Sequence, residues 1–285
     1  MRLRTHRPLE DRNIVLFRSI IAPDGLRLQT YEAGNPDGPE ILFIHGFSQC
    51  SLCWQTQFDD PVLSAAFRLT AFDIRGHGAS DRPEDPRCYA NDRRFADDIA
   101  AVMGDLKLKH PVLVGWYYAG RLIGDYVTAH GTGRLAGINY VCARTTNDPE
   151  FNGPGVAHLA GMTATELPTN IAATRQFVRA CFAREPAPDI LETTIAYNML
   201  VSATVRKAHL MRPADDGAIL GRIVVPVLIT QGAADLLVLE GLARLTASRI
   251  PNATLSIYDG IGHAPFIEDT QRFNRELAAF VLDQR

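Results

Sequence analysis

Three groups of residues in this chain have types and placements that chemistry can use. The first is a phenol, Tyr117, in the stretch VLVGWYYAG (112–120), where an apolar run meets small residues and then a helical pattern. A phenol of ordinary pKa, about 10, becomes a nucleophile or an acid–base group when a base faces it. The second is a late carboxylate and imidazole, Asp235 in TQGAADLLV and His263 in GIGHAPF. A carboxylate beside an imidazole orients the ring and stabilises its charged form, which makes the pair a proton-transfer device. The third is a pair of glycine-punctuated turns. One is FIHGFSQC, with His45, Gly46, Phe47 and Ser48; the other is DIRGHGASDRP, with Asp73, Arg75 and His77. His45 and His77 read as turn and loop-packing residues, and Asp73 as a residue that orients a neighbouring loop. Cys50 and Cys53 have C-x-x-C spacing. They open no thioredoxin-like helix and have no second pair for zinc, so they read as structural thiols.

Each group follows an apolar run of strand length. Runs at 14–23 and 26–33 are split by Pro23-Asp24-Gly25, a hairpin signal. Further runs cover 40–46, 67–76, 111–116, 135–143, 225–232 and 253–260. Between them lie helical stripes: Phe95, Ile99, Val102, Met103 and Leu106; Leu122, Ile123, Tyr126 and Val127, closed by Gly131; and Phe273, Leu277, Phe280 and Val281. Strands alternating with helices predict an α/β fold, a mostly parallel eight-stranded sheet covered by helices on both faces. Right-handed crossovers then bring the strand C-termini to one edge, where the chemistry-bearing residues sit. The alternation stops between 144 and 213, where helical patterns near 171–184, 188–200 and 202–212 are punctuated by prolines. The expected organisation is a core domain of 1–143 and 214–285, with 144–213 inserted as a helical cap.

Composition narrows the classes. The chain has 285 residues, of which 46% are hydrophobic and 21% charged, enough for a sizeable core. A net charge of −3 favours neither nucleic acid nor an anionic membrane as partner. Five cysteines without a framework argue against a disulfide scaffold and point to a reducing, cytoplasmic compartment. The start, MRLRTHRPLEDRN, has no apolar run after its basic residues and reads as no signal peptide. No segment approaches the roughly 20 apolar residues of a membrane span.

Taken in order, HG-x after one strand, D-x-RGHG-x-S after the next, G-x-Tyr-x-small at a strand-to-helix turn, then Asp and then His, the chain resembles the α/β-hydrolase superfamily of esterases, lipases, epoxide hydrolases and dehalogenases. The resemblance covers nearly the whole chain. In that family the order is nucleophile, acid, histidine. By position it implies Tyr117, Asp235 and His263 as catalytic residues, and the backbone N–H groups of Phe47 and Tyr118 as an oxyanion hole. Ser48 and Trp116 are substrate-pocket candidates. No cofactor and no metal site is implied.

The departure from the family is Tyr117, where serine is commoner and aspartate serves the epoxide hydrolases and dehalogenases. The flanking Gly115 and Ala119 keep the turn's small neighbours. The phenol oxygen lies further from the backbone than a serine oxygen does, while the oxyanion donors stay put. The phenol is also more acidic than an alcohol, and its ring fills space. The expected function is therefore esterase-like hydrolysis of a small apolar or aromatic ester or other activated acyl substrate. Three alternatives stand beside it: an inactive or weakly active variant whose serine was replaced, a ligand-binding module, and a cofactor-free lyase or isomerase. The expected partner is a small-molecule substrate, and a monomer or a homodimer is equally compatible.

Overall fold

In the computed structural model, which describes residues 15–213 and 217–284, the first turn follows its residue chemistry. Gly25 takes φ 87, and its N–H donates to Ala22 O at 2.8 Å. The turn joins β1 (Leu16–Ile21) to β2 (Arg27–Gly34), antiparallel from Leu16↔Glu32 to Ile21↔Arg27. β2 pairs antiparallel with β4 (Arg68–Phe72), and every other pairing is parallel. These involve β3 (Glu40–Ile44), β5 (Val112–Trp116), β6 (Gly137–Val141), β7 (Val227–Gly232) and β8 (Ala253–Tyr258). The strand order is β1-β2-β4-β3-β5-β6-β7-β8. All eight strands lie within the expected runs except that β2 extends to Gly34. β5, β6 and β7 are buried throughout, as continuous apolar runs with both faces covered should be.

Eleven α-helices occur among the described residues. They are α1 (Gln55–Phe58), α2 (Pro61–Ala66), α3 (Asp92–Asp105), α4 (Ala119–His130), α5 (Leu159–Met162), α6 (Leu167–Ala180), α7 (Pro188–Met199), α8 (Ala203–Leu210), α9 (Glu240–Arg249), α10 (Pro265–Glu268) and α11 (Thr270–Leu282). The apolar stripes of α3, α4 and α11 face the core; only Phe280 of those named is part-exposed. Gly131 caps α4 at φ 70, donating to Val127 O at 2.9 Å.

The stretch between β6 and β7 carries α5 to α8 and no strand among its described residues. Two of its helices start where prolines were read as punctuation. Pro168 lies in the first turn of α6 and Pro188 is the first residue of α7, positions whose N–H has no helical acceptor in any case. α6 accordingly begins four residues before the expected stripe. The N-terminal stretch read as lacking a signal peptide lies outside the described residues. So do residues 214–216, where the core domain was expected to resume. No helix of the described residues is long and apolar enough to cross a membrane.

Candidate active site

β5 delivers Tyr117 into a strained turn. Its φ is 51, a left-handed conformation that costs an ordinary residue about 1–2 kcal/mol. The turn is held by backbone bonds, from Tyr117 N–H to Val141 O at 3.1 Å and from Arg144 N–H to Tyr117 O at 2.8 Å. The turn is closely packed on both sides. A Cβ on Gly115 would lie 2.5 Å from Ile123, and one on Gly46 would lie 3.2 Å from Tyr117 Cβ. α4 begins two residues after Tyr117, and Tyr118 precedes its first residue. The N–H groups of Phe47 and Tyr118 have no intramolecular acceptor among the described residues, so both remain available to an oxyanion.

The loops after β7 and β8 bring Asp235 and His263 together, with His263 Nδ1–H donating to Asp235 Oδ2 at 2.7 Å. Both are buried. The carboxylate is fully engaged: Oδ1 accepts from Leu237 N–H at 2.7 Å and Val238 N–H at 3.0 Å, and Oδ2 also accepts from Gln231 Nε2 at 3.1 Å. The histidine loop is fastened at its backbone. His263 N–H donates to Cys181 O at 3.1 Å, and Trp116 Nε1 donates to His263 O at 2.8 Å. Gly232 lets this loop close, because a Cβ there would lie 1.9 Å from Gly262 O.

Tyr117 and His263 meet ring to ring. Their centroids are 4.8 Å apart with the planes at 81°. Among the described residues, His263 Nε2 is buried without a hydrogen-bond partner, so none joins it to the Tyr117 hydroxyl. Burial pushes the phenol up to about 12, although the positive charge of Arg144 pulls the other way. A base that does not touch the hydroxyl, and a phenol made less acidic by its surroundings, are the reverse of an activated nucleophile.

The remaining sequence candidates have structural partners. Ser48 is fully buried at φ 61; its N–H donates to His77 Nε2 at 3.1 Å, and its Oγ accepts from Arg206 Nε at 2.9 Å. Trp116 packs behind the imidazole, 5.5 Å between ring centroids. His45 Nδ1 donates to Gly46 O and its Nε2 accepts from Ile74 N–H, so the ring is a neutral turn brace. His77 is likewise neutral, donating to Arg75 O and accepting from Ser48. Asp73 accepts from Ser51 N–H, Ala79 N–H and the Tyr31 hydroxyl, and so ties two loops together. Cys50 and Cys53 are buried free thiols, both pushed up chiefly by burial.

A model of the alpha/beta hydrolase family matches residues 41–276. The chain belongs to that family. A provisionally named aryl esterase from Burkholderia cenocepacia is 35% identical with a TM-score of 0.90, over 94% of this chain and 99% of that one. An esterase from Rhodococcus sp. ECU1013 is 30% identical with a TM-score of 0.88, at the same coverage. A non-heme chloroperoxidase from Kitasatospora aureofaciens is 28% identical over 260 residues, 86% of this chain and 92% of that protein. A stretch of 149 residues is 32% identical to the protein named probable oxidoreductase EphD of Mycobacterium tuberculosis; it covers 50% of this chain and 22% of that protein's length. Esterase and haloperoxidase relatives support a hydrolytic enzyme in the general sense.

In this alpha/beta hydrolase several site residues carried no sequence signal. Gln231 braces the acid from within β7. Cys142, at φ 43 after β6, brings its sulfur within 4.8 Å of an Asp235 oxygen and a His263 nitrogen, a spacing that metal ions use. Nδ1 is engaged by Asp235, and burial keeps the thiol protonated, its pKa raised well above the usual range, which disfavours its thiolate as a metal ligand. The trio therefore reads as a dyad packed on a thiol.

Proposed function

We propose that this protein is an esterase-type alpha/beta hydrolase in which Tyr117 occupies the nucleophile's place as a plug and does not itself attack substrate. The observation that carries this reading is His263 Nε2, buried, unpartnered and faced by the Tyr117 ring. The rest of an acyl-transfer site is assembled around it: a braced acid–histidine pair and two free N–H donors. The substrate class is a small aromatic or apolar ester. Phe47 packs against Tyr118 and against Phe177 of α6, which makes the surroundings of the donors aromatic, and the Burkholderia relative is named for aryl ester hydrolysis. We further propose that α5 to α8 act as the cap over this pocket.

With serine at 117, the reaction follows from the geometry. The hydroxyl attacks the ester carbonyl as His263 Nε2 takes its proton, Asp235 stabilises the imidazolium, and the Phe47 and Tyr118 N–H groups receive the oxyanion; the ester C–O bond then breaks, the imidazolium gives its proton to the leaving alcohol, and water activated by His263 releases the acid from the serine. With tyrosine at 117, the ring stands between the imidazole and the space a carbonyl would need. Turnover then falls to what a water at Nε2 can do.

The test uses Tyr117→Ser and Tyr117→Phe with a 4-nitrophenyl ester. Tyr117→Ser is expected to raise kcat/KM by about 10²-fold or more, and His263→Ala in that background to abolish the gain. Tyr117→Phe should match the parent. An acyl adduct on Tyr117 of the parent by intact mass, together with loss of turnover in Tyr117→Phe, would show instead that the phenol is the nucleophile.

A further inference from the structure

Arg206 and His209 lie one turn apart on α8, and Arg212 follows two residues past its last residue, Leu210. All three are buried, and together they touch both walls of the pair of backbone donors. Arg206 Nε donates to Ser48 Oγ at 2.9 Å, immediately after Phe47. Its other donors reach Met162 O at 3.1 Å, Asn170 Oδ1 at 2.7 Å, Thr174 Oγ1 at 3.0 Å and Asn198 O at 2.5 Å. None of these acceptors is a carboxylate. A buried cation without a counter-ion among the described residues is an expensive way to fill space, since an apolar side chain of similar volume would do so without desolvating a charge. Burial draws the guanidinium down to about 10.

Arg212 holds the opposite wall. Its Nη1 donates to the Tyr118 hydroxyl at 2.9 Å, and its Nη2 reaches Asp92 and Asp125, each at 2.5 Å. Asp125 belongs to α4, the helix that opens just after Tyr117. Between the two arginines, the His209 ring stands 4.9 Å from His77 and 5.2 Å from Tyr118. His77 is in turn the acceptor of the Ser48 N–H. Ser48 needs such support, because a non-glycine residue at φ 61 is held there only by its surroundings.

We infer that α8 and the segment just after it set the separation of the two oxyanion donors, Arg206 acting through Ser48 on Phe47 and Arg212 acting through the side chain of Tyr118. The three are positioning residues, and the inference rests on the reading of the Phe47 and Tyr118 N–H groups as oxyanion donors. One helix of the insertion then couples the position of the pocket's cover to the geometry of the donors. A ligand that lifts α8 loosens both donors together.

Ser48→Ala and Tyr118→Phe test this, since each deletes one bond to an arginine and leaves the arginine and the backbone in place. In the Tyr117→Ser background with a 4-nitrophenyl ester, each is expected to lower kcat about 10-fold or more while KM stays within about twofold. Arg206→Lys added to Ser48→Ala should lower kcat no further, because the hydroxyl it acts through is already gone. Unchanged kcat in both single variants, or a rise in KM alone, overturns the inference. A second measurement needs no turnover: amide hydrogen exchange of segments 45–49 and 116–120 in the otherwise unaltered protein. Exchange should quicken about fivefold or more at the segment whose bond is lost, and unchanged exchange overturns the clamp whatever the activity. If Tyr117→Ser does not hydrolyse esters but exchange quickens, the clamp stands and the esterase reading falls.

Discussion

Asp235 shows how far a single residue can be read and where the reading stops. Its place before His263, each at the end of a strand, was legible because a loop after a parallel strand points to one edge of the sheet. Its four hydrogen bonds were not legible, because Gln231 and the Leu237 and Val238 amides become its donors only when the loop folds back. Those donors fix the carboxylate on Nδ1 and leave His263 Nε2 without a hydrogen bond among the described residues. Asp235→Asn in the Tyr117→Ser background removes the charge and permits the wrong imidazole tautomer. A fall in kcat of about 10⁴-fold is expected, measured by steady-state hydrolysis, with the fold retained by circular dichroism. Tyr117 carries the opposite lesson. The phenol's ordinary acidity suggested easier deprotonation by His263. Burial, a tertiary property, reverses that and pushes the group up to about 12, and the two side chains meet ring to ring with no hydrogen bond between them.

Strands and the strongest amphipathic helices were legible because their periodicity is a local property; α9 was less so. α9 buries only Leu242, Ala243 and Thr246, too thin a stripe to stand out from its charged neighbours. The helical pattern near 202–212 gave no sign that Arg206 of α8 is buried, since sequence does not distinguish an arginine that faces water from one buried against a loop. The meeting of β7 with the histidine loop depends on one missing side chain. Gly232→Ala places a methyl 1.9 Å from Gly262 O and 2.5 Å from Ile261 O. Backbone cannot yield as a flexible side chain would, so the loop must lift. A stability loss of about 1–3 kcal/mol by urea unfolding is expected, together with loss of whatever hydrolysis the Tyr117→Ser protein shows. An alanine variant with both properties unchanged would mean that the contact relaxes without moving His263.

The whole molecule buries His45, His77 and His209 against one another, with ring centroids 5.3 Å and 4.9 Å apart. Burial lowers the pKa of all three, that of His209 to about 3, with Arg212, His45 and Arg75 adding repulsion. Between these values and about 6.5 the unfolded chain binds more protons than the native one. Stability from these groups is therefore fully present above pH 6.5 and lost as pH falls, by up to about 1.4 kcal/mol per pH unit for each histidine. Asp98 and Asp125, raised to about 6 and about 7 chiefly by burial, act in the opposite direction over an overlapping range. The difference between parent and variant isolates one histidine. His209→Phe should lose less stability than the parent between pH 6.5 and pH 4 in urea titrations, and parallel pH profiles would contradict the depressed value. These histidines thus make one contribution to acid sensitivity that is shared by the loops after β3 and β4 and by α8, a property that no single segment announces. The two tryptophans, Trp54 and Trp116, give that region a voice of its own. Both rings lean on Phe266, at 4.3 Å and 4.9 Å, three residues past His263, and Trp116 also grips the histidine's carbonyl. The native ultraviolet emission of this protein is in effect a label-free gauge of whether the histidine loop is seated, with red-shifted light as the sign that it has come away.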